Sequence, residues 1–338
     1  MQADRTANSR QKRRLDRLYQ TGVGRTTVLI HKENRATFDV LRPLLRNPKS
    51  SELLKQAARL VAEEGPINVS QVTQLSPFRY PGGKTWLVPE IRNWIRRVGF
   101  RPDVFVEPFA GGGIAGLTIA AEDLADKVVM SELDEDVASV WKTILKEPEW
   151  LCSRIMRFEV THENVLQLID KSPQSIQERA FQTIIRNRTQ RGGILAPGAG
   201  LVKNGENGKG ITSRWYPETL VKRIRRIHAM RSRISFTNEN GMDVISTFAK
   251  DRRAAFFVDP PYTAGGKQAG KRLYRHSNID HELLFRLMKK VKGSYMMTYD
   301  DSNEVREMAT SNSMKIDEIA MKNTHHAVVR ELVITKPE

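Results

Sequence analysis

Residues 254–258 (Ala-Ala-Phe-Phe-Val) read as an apolar strand, and Asp259-Pro260-Pro261-Tyr262 follow directly. In open α/β sheets ligands sit beyond the carboxyl ends of the strands, which is where these four residues would lie. The prolines fix φ and remove two backbone donors, so nearby carbonyls are left free to accept. Asp259 and the Pro260 carbonyl can then each accept one hydrogen of a single amine, while the Tyr262 ring offers a surface for a base. That pattern suits the exocyclic amine of adenine, a poor nucleophile because its lone pair is delocalised into the ring. Two acceptors favour the pyramidal nitrogen needed to attack a methyl donor and stabilise charge as it develops. Such an amine lies inside a duplex, so the base must first leave the stack. Read only as structure, the same residues are a strand closed by a Pro-Pro turn.

Three further segments carry candidate chemistry. Val104-Phe105-Val106-Glu107-Pro108-Phe109-Ala110-Gly111-Gly112-Gly113 reads as strand, then glycine turn, and Ile114 opens a helix. Glycine lets a ligand approach the backbone closely, so Glu107, Phe109, Gly111 and Gly113 are candidates for holding a nucleotide-like cofactor. No Gly-Lys-Ser/Thr follows, and the GxGxxG spacing is missing, which excludes a phosphate-cradling NTPase loop and the dinucleotide fingerprint. Glu132, about 20 residues beyond the glycines, can accept from both hydroxyls of a ribose. Asp134 beside it suits a helix N-cap. Lastly, Tyr80-Pro81-Gly82-Gly83-Lys84 precedes a helix over Trp86–Arg97. A Gly-Gly-Lys helix start binds anions through its N–H groups, its dipole and the lysine, and a methionine carboxylate would fit.

The elements that would position these residues alternate. Strands are expected at Val104–Glu107, Lys127–Met130, Ala254–Val258 and Ser294–Thr298, and helices at Ile114–Glu122, Glu135–Leu145, Asp280–Lys292 and Ser302–Thr310. Strands separated by helices imply a mainly parallel sheet covered on both faces. Met314–Ala320 and Ala327–Thr335 read as a hairpin adding an antiparallel strand at or near one edge. Residues 149–235 interrupt the alternation with a helix at Ile176–Arg188, a glycine-rich loop at Gly192–Gly210 and a basic helix at Pro217–Arg231. A loop of that length inside a compact domain is usually functional or disordered. Upstream, Arg25–His31 reads as a short strand followed by helices at Asn34–Leu45 and Ser51–Glu64, with Ile67–Leu75 as linker.

The net charge of +16 is concentrated. Residues 1–50 carry 12 Lys/Arg against 4 Asp/Glu, and residues 181–233 carry 12 against 2. The rest is close to neutral. Two dense basic regions on a neutral body point to a polyanion, through release of phosphate counterions. Cys152 is the single cysteine of the 338 residues, so no intrachain disulfide forms, and nothing marks an oxidising compartment. Met1–Arg14 lacks the apolar core of a secretory signal, and no run approaches 18 apolar residues. A cytoplasmic protein is expected.

Taken in order, RYPGGK, VEPFAGGG, SELDED and VDPPY resemble the motifs of the Dam-type (D12 class, alpha group) family of DNA adenine-N6 methyltransferases, over about residues 76–335. The resemblance implies a class I, Rossmann-like methyltransferase sheet using S-adenosyl-L-methionine and no metal. It implies an inserted target-recognition region at 149–235 between catalytic segments 76–148 and 236–338. Tyr80, Lys84, Glu132 and Asp259 match the family's cofactor contacts, and Asp259, Pro260 and Tyr262 its catalytic set, with Pro261 supporting the turn. Arg186, Asn187 and Arg188, then Arg191, and Arg214 ahead of the next helix, resemble its double-stranded-DNA contacts. Tyr80 stands where the family often has Trp, and Glu132 where Asp is commoner; both swaps keep the physical role. The 192–210 loop does not match the stretch by which the best-known members read GATC. Residues 1–70 lie outside the resemblance and read as a basic arm on phosphates or, alternatively, a ribbon-helix-helix-like unit. A monomer is expected, and a restriction-modification role fits. Alternatives are methylation of the cytosine amine, an RNA substrate, or a DNA-binding regulator without activity. Cytosine C5 chemistry needs a thiol nucleophile, and Cys152 is near none of the motifs.

Overall fold

The computed structural model describes residues 35–45, 47, 50, 72–80, 82–263, 275–276, 278–322 and 328–337. The chain divides into Met1–Pro66 and Ile67–Glu338. In the first unit, helix α1 spans Arg35–Leu44, within the expected Asn34–Leu45. The expected strand Arg25–His31 and helix Ser51–Glu64 lie outside the described residues.

The second unit is organised around seven strands among the described residues: β1 Val104–Glu107, β2 Lys127–Ser131, β3 Ile234–Thr237, β4 Ala254–Val258, β5 Ser294–Asp300, β6 Lys315–Lys322 and β7 Val328–Thr335. They lie in the order β3-β2-β1-β4-β5-β7-β6. Strands β1 to β5 are parallel neighbours. The terminal hairpin forms as expected, but its second strand inserts between β5 and β6, antiparallel to both. Thus β7 becomes an interior strand and β6 takes the edge.

Burial explains why the central strands read as unbroken apolar runs. All five residues of β4 are buried. Ala255 and Phe257 join one core with Phe105, Val128 and Met130. Ala254, Phe256 and Val258 join a second with Val104, Val106 and Leu332. A parallel strand covered on both faces needs apolar residues at every position. The first core is closed by helices α2 Val88–Arg97, α3 Ile114–Ala121, α4 Glu135–Lys146, α5 Pro148–Arg157, α6 His162–Ile169, α7 Ile176–Thr189 and α8 Pro217–Ala229. The second is closed by α9 Gly241–Phe248, α10 His281–Lys290 and α11 Asn303–Ser311.

Local signals start several of these helices. Ser175 caps α7 by accepting from the Glu178 N–H, and the Glu178 carboxylate reaches back to the Gln174 N–H, a reciprocal arrangement that satisfies two orphan donors. Asp134 caps α4 through the Asp136 N–H. Sequence reading missed α5, α6, β3 and α9. Helix α6 fully buries only Val165, and β3 only Ile234, so neither writes a clear apolar period. No helix among the described residues is long and apolar enough to cross a membrane.

Candidate active site

The strand order reverses between β1 and β4: β1 continues to β2 on one side, and β4 to β5 on the other. The crevice beyond such a switch point is where open α/β sheets bind ligands. Register sets Val106 beside Phe256, so the turn after β1 and the turn after β4 open on the same edge.

At the end of β4, Asp259 Oδ1 accepts from Thr298 Oγ1 at 2.6 Å and Tyr262 Oη at 2.9 Å, and forms an ion pair with Lys84 Nζ at 3.0 Å. Lys84, only 3% exposed, leads the 3₁₀ turn Lys84–Leu87 and also donates to the Gly82 carbonyl at 2.9 Å. It lies 4.8 Å from the centre of the Tyr262 ring and 3.7 Å from Glu331 Oε2. The Tyr262 hydroxyl reaches that same Glu331 oxygen at 3.2 Å, and the Tyr262 ring stacks on Tyr299 with centroids 5.8 Å apart. Burial raises the pKa of the Tyr262 hydroxyl, with Asp259 and Glu331 adding to the effect. Burial likewise lifts Glu331, against the pull of Lys84.

Glu331, Thr298 and Tyr299 were missed in the sequence. A signal for Glu331 exists: it is the lone acid in the apolar strand Val-Val-Arg-Glu-Leu-Val-Ile-Thr. Lys84, expected at an anionic ligand, meets a carboxylate of the protein itself.

The glycine turn after β1 is shaped by what a side chain would strike. Gly111 has φ +47°, and a Cβ there would fall 2.5 Å from the Tyr80 ring. Tyr80 thereby lies over the turn, which joins two expected cofactor residues. Gly113, at φ +63°, is the left-handed N-cap of α3 and has no side chain with which to cap it. Glu107 does so from the strand: its Oε2 accepts from the Gly116 N–H at 2.7 Å. Glu132 accepts from the Gly111 N–H and from the Asp134 N–H, each at 2.9 Å, so it ties the two loops together at the edge of a cavity.

Both acids are raised by burial. Burial pushes Glu132 up to about 7 and Glu107 up to about 8. A raised acid contributes stability that is present below its unfolded value near 4.5 and is lost as pH rises through about 8. Glu107→Gln keeps an oxygen for Gly116 and cannot ionise. The variant is therefore expected to match the parent in acid and to exceed it by up to about 4 kcal/mol near the upper end, at about 1.4 kcal/mol per pKa unit. Unfolding midpoints measured against pH check this, and parallel curves for the two proteins would refute it.

Two cavities meet at Tyr80 and Asp259. The first, about 340 Å³, is lined by Phe109, Gly111, Glu132, Asp134 and Met242. The second, about 460 Å³, is lined by Lys84, Arg79, Arg188, Arg214 and Arg223. One wall is acidic and the other strongly basic. Arg188 is 6% exposed. It donates to the Pro77 carbonyl, and its Nε has no hydrogen-bond partner among the described residues. Burial, then Arg223, Arg79 and Arg214, lower its pKa. Arg223 donates to the Ser76 carbonyl at 3.0 Å, and Arg214 pairs with Glu206. Arg79 and Arg223 were not singled out in the sequence, because nothing local shows that they converge.

The other expected DNA contacts separate. Arg186 pairs with the buried Asp136, whereas Arg191 is exposed. Asn187 requires a correction. It is fully buried, accepts from the Arg79 N–H and donates to the carbonyls of Arg79 and Gly193. With both its amide groups committed, it anchors the 192–210 loop to the strand-entry segment and presents nothing to DNA.

A parallel sheet with a switch-point crevice, a glycine turn after β1, an acid-Pro-Pro-aromatic turn after β4 and an inserted antiparallel last strand define a class I, Rossmann-like methyltransferase fold. Residues 80–324 match the family model of the D12 class N6 adenine-specific DNA methyltransferases. The chain belongs to that family and is an adenine-specific DNA methyltransferase. Among solved structures, similarity extends to a Pyrococcus horikoshii protein described as an RNA methyltransferase, at 10% identity and a TM-score of 0.36, covering 82% of this chain and 97% of that one. The methyltransferase domain of bacterial CtHen1-CN is similar at 7% identity and a TM-score of 0.32, covering 74% and 97%. No curated protein matches the chain.

Proposed function

We propose that the chain binds S-adenosylmethionine in the acid-lined cavity and transfers its methyl group to the N6 amine of an adenine rotated out of duplex DNA. The observation that carries this reading is the position of Asp259, bordering both an acidic and a basic cavity. The lining of the first cavity fits the cofactor. Glu132 offers carboxylate oxygens to ribose hydroxyls, and Gly111 lines the same cavity without a side chain of its own, while Gly113 lines the second cavity. Tyr80, Phe109 and Met242 supply apolar walls for a purine. When bound, the cofactor supplies an electrophilic sulfonium methyl group.

The protein's own groups do the rest. Asp259 and the Pro260 carbonyl accept the two amine hydrogens and so orient the nitrogen lone pair. Two hydrogen-bond donors and the Lys84 ion pair on Oδ1 hold the Asp259 carboxylate in place. The amine attacks directly. Cys152 is 1% exposed, and burial pushes its thiol up to about 11, which leaves no thiolate for a covalent route. The arginine-lined cavity and the exposed Arg191 take DNA phosphates, which makes the inserted 149–235 region the duplex-facing part.

Incubation with duplex DNA and the cofactor, followed by nucleoside analysis, tests the assignment. N6-methyl-2′-deoxyadenosine is the expected product, and N4-methyl-2′-deoxycytidine in its place would overturn the reading. Single-stranded DNA or RNA methylated faster than duplex would overturn the duplex part.

A further inference from the structure

We propose that Glu331 receives, through the Tyr262 hydroxyl, the proton that the methylated adenine amine must lose. The inference rests on the reading of Asp259 as the acceptor of an amine hydrogen. Once nitrogen has gained its methyl group it is cationic and must lose a proton, and Asp259 is the acid placed to take it. A proton left there would leave Asp259 neutral for the next turnover.

The geometry offers an exit. Tyr262 Oη lies 2.9 Å from Asp259 Oδ1 and 3.2 Å from Glu331 Oε2. Two such oxygen–oxygen contacts require two protons, and a tyrosine hydroxyl brings one. Thr298 touches both Asp259 Oδ1 and the Tyr262 hydroxyl and has a single proton for the two. Lys84 donates to the Gly82 carbonyl, pairs with Oδ1 at 3.0 Å, and stands 3.7 Å from Glu331, beyond hydrogen-bond reach. The chain Asp259–Tyr262–Glu331 thus has room for one proton more than its resting groups provide.

The step balances. The N–H bond of the methylated amine breaks with its electron pair staying on nitrogen, and the proton joins Asp259. Tyr262 accepts that proton on oxygen as it releases its own to Glu331. The Asp259 carboxylate and the Tyr262 hydroxyl are restored, and Glu331 becomes a neutral acid. With its side chain 11% exposed, Glu331 then returns the proton to water. Its surroundings suit a proton holder: Asp259 and Asp300 are anionic neighbours that favour the neutral form, and Lys84 is the opposing cation among the described residues. On the β6 side its register partner is the apolar Ile319. Burial adds to the same preference. Glu331 acts as a positioning and relay group, touching neither base nor cofactor.

A relay must be ionised to accept. Steady-state methylation, in which Asp259 must be cleared of its proton before each new turnover, is therefore expected to fall on acidification, with a midpoint above the ordinary carboxylate value. Glu331→Gln is expected to lower the neutral-pH rate by about tenfold or more, at the low side of proton-transfer contributions, and to flatten that acid limb. Glu331→Asp should retain the limb. Infrared difference titration of wild type against Glu331→Gln should show one carboxyl ionising with the same midpoint, a readout independent of turnover. Should Glu331→Gln fail to fold, Tyr262→Phe cuts the route from the other side and should lose the same limb. An acid limb unchanged in the folded variant overturns the proposal, whether the rate is unaffected or is lowered equally at every pH. Asp259→Ala separates the two claims. If it is inactive while Glu331→Gln keeps its acid limb, the relay falls and the site reading stands; if it is active, the site reading itself falls.

Discussion

Asp259→Ala is expected to lower methyl transfer by about 10³-fold or more while leaving duplex affinity nearly unchanged. Loss of one preorganised partner of a developing charge costs about 10²–10³ in rate, and Asp259 both orients the amine and takes its proton. The arginine-lined wall, which carries the phosphate contacts in this reading, is untouched by the change. The substitution has a second consequence that a sequence motif would not suggest. Lys84 is 3% exposed and loses its 3.0 Å carboxylate partner, keeping the Gly82 carbonyl and Glu331 at 3.7 Å. Removing one member of a fully buried pair costs about 3–5 kcal/mol. Because the Asp259 side chain is 20% exposed, a loss of about 2 kcal/mol is expected here. Adding Lys84→Met should recover stability and leave activity absent. Urea unfolding and single-turnover assays on the three variants measure both effects, and near-parental activity in Asp259→Ala would disprove the assignment.

The largest stability effect is expected from Gly113→Ala. Gly113 adopts φ +63° at the start of α3, a conformation that costs an L-residue about 1–2 kcal/mol. The added Cβ would also meet Met130 Cε at 2.4 Å and the Trp141 ring at 2.8 Å. Trp141 is fully buried, and its Nε1 donates to the Gly111 carbonyl at 3.1 Å, so it cannot yield without releasing the turn itself. Overpacking of this kind costs a further 1–3 kcal/mol or so. The sum is about 2–5 kcal/mol, with cofactor affinity falling alongside as the glycine turn shifts. Gly99→Ala is the control. It shares a positive φ of +80° but has nothing within 4 Å of its Cβ, so only the backbone cost of about 1 kcal/mol applies. Equal losses in the two variants would show that the Trp141 contact contributes nothing.

Much of the catalytic edge could be read from adjacent residues. The strand Ala254–Val258 forms as expected, and the Asp-Pro-Pro-Tyr turn follows it. Asp134 caps α4 in the way its spacing suggested. Gly111 and Gly113 after β1 take the positive φ values that only glycine accepts cheaply. Each of these depends on interactions within a few residues. The weakly periodic stretches escaped: α6 and β3 bury too little to leave a pattern. Asn187 was misjudged for a related reason, since the backbone groups of Arg79 and Gly193 that enclose it cannot be seen from its own helix.

The amino-acid order alone was enough to specify a parallel α/β sheet, its glycine turn and the Asp-Pro-Pro-Tyr turn after β4, because backbone dihedrals and apolar periods are set locally. Folding in three dimensions chose the partners. Lys84 meets Asp259, four arginines converge on one cavity, and Glu331 joins the site because β7 slides between β5 and β6 and sets Glu331 opposite Asp300. Side chains alternate across a strand, so a slip of one residue in that pairing would turn Glu331 to the other face. Strand register is a property of the assembled sheet, and no single segment contains it.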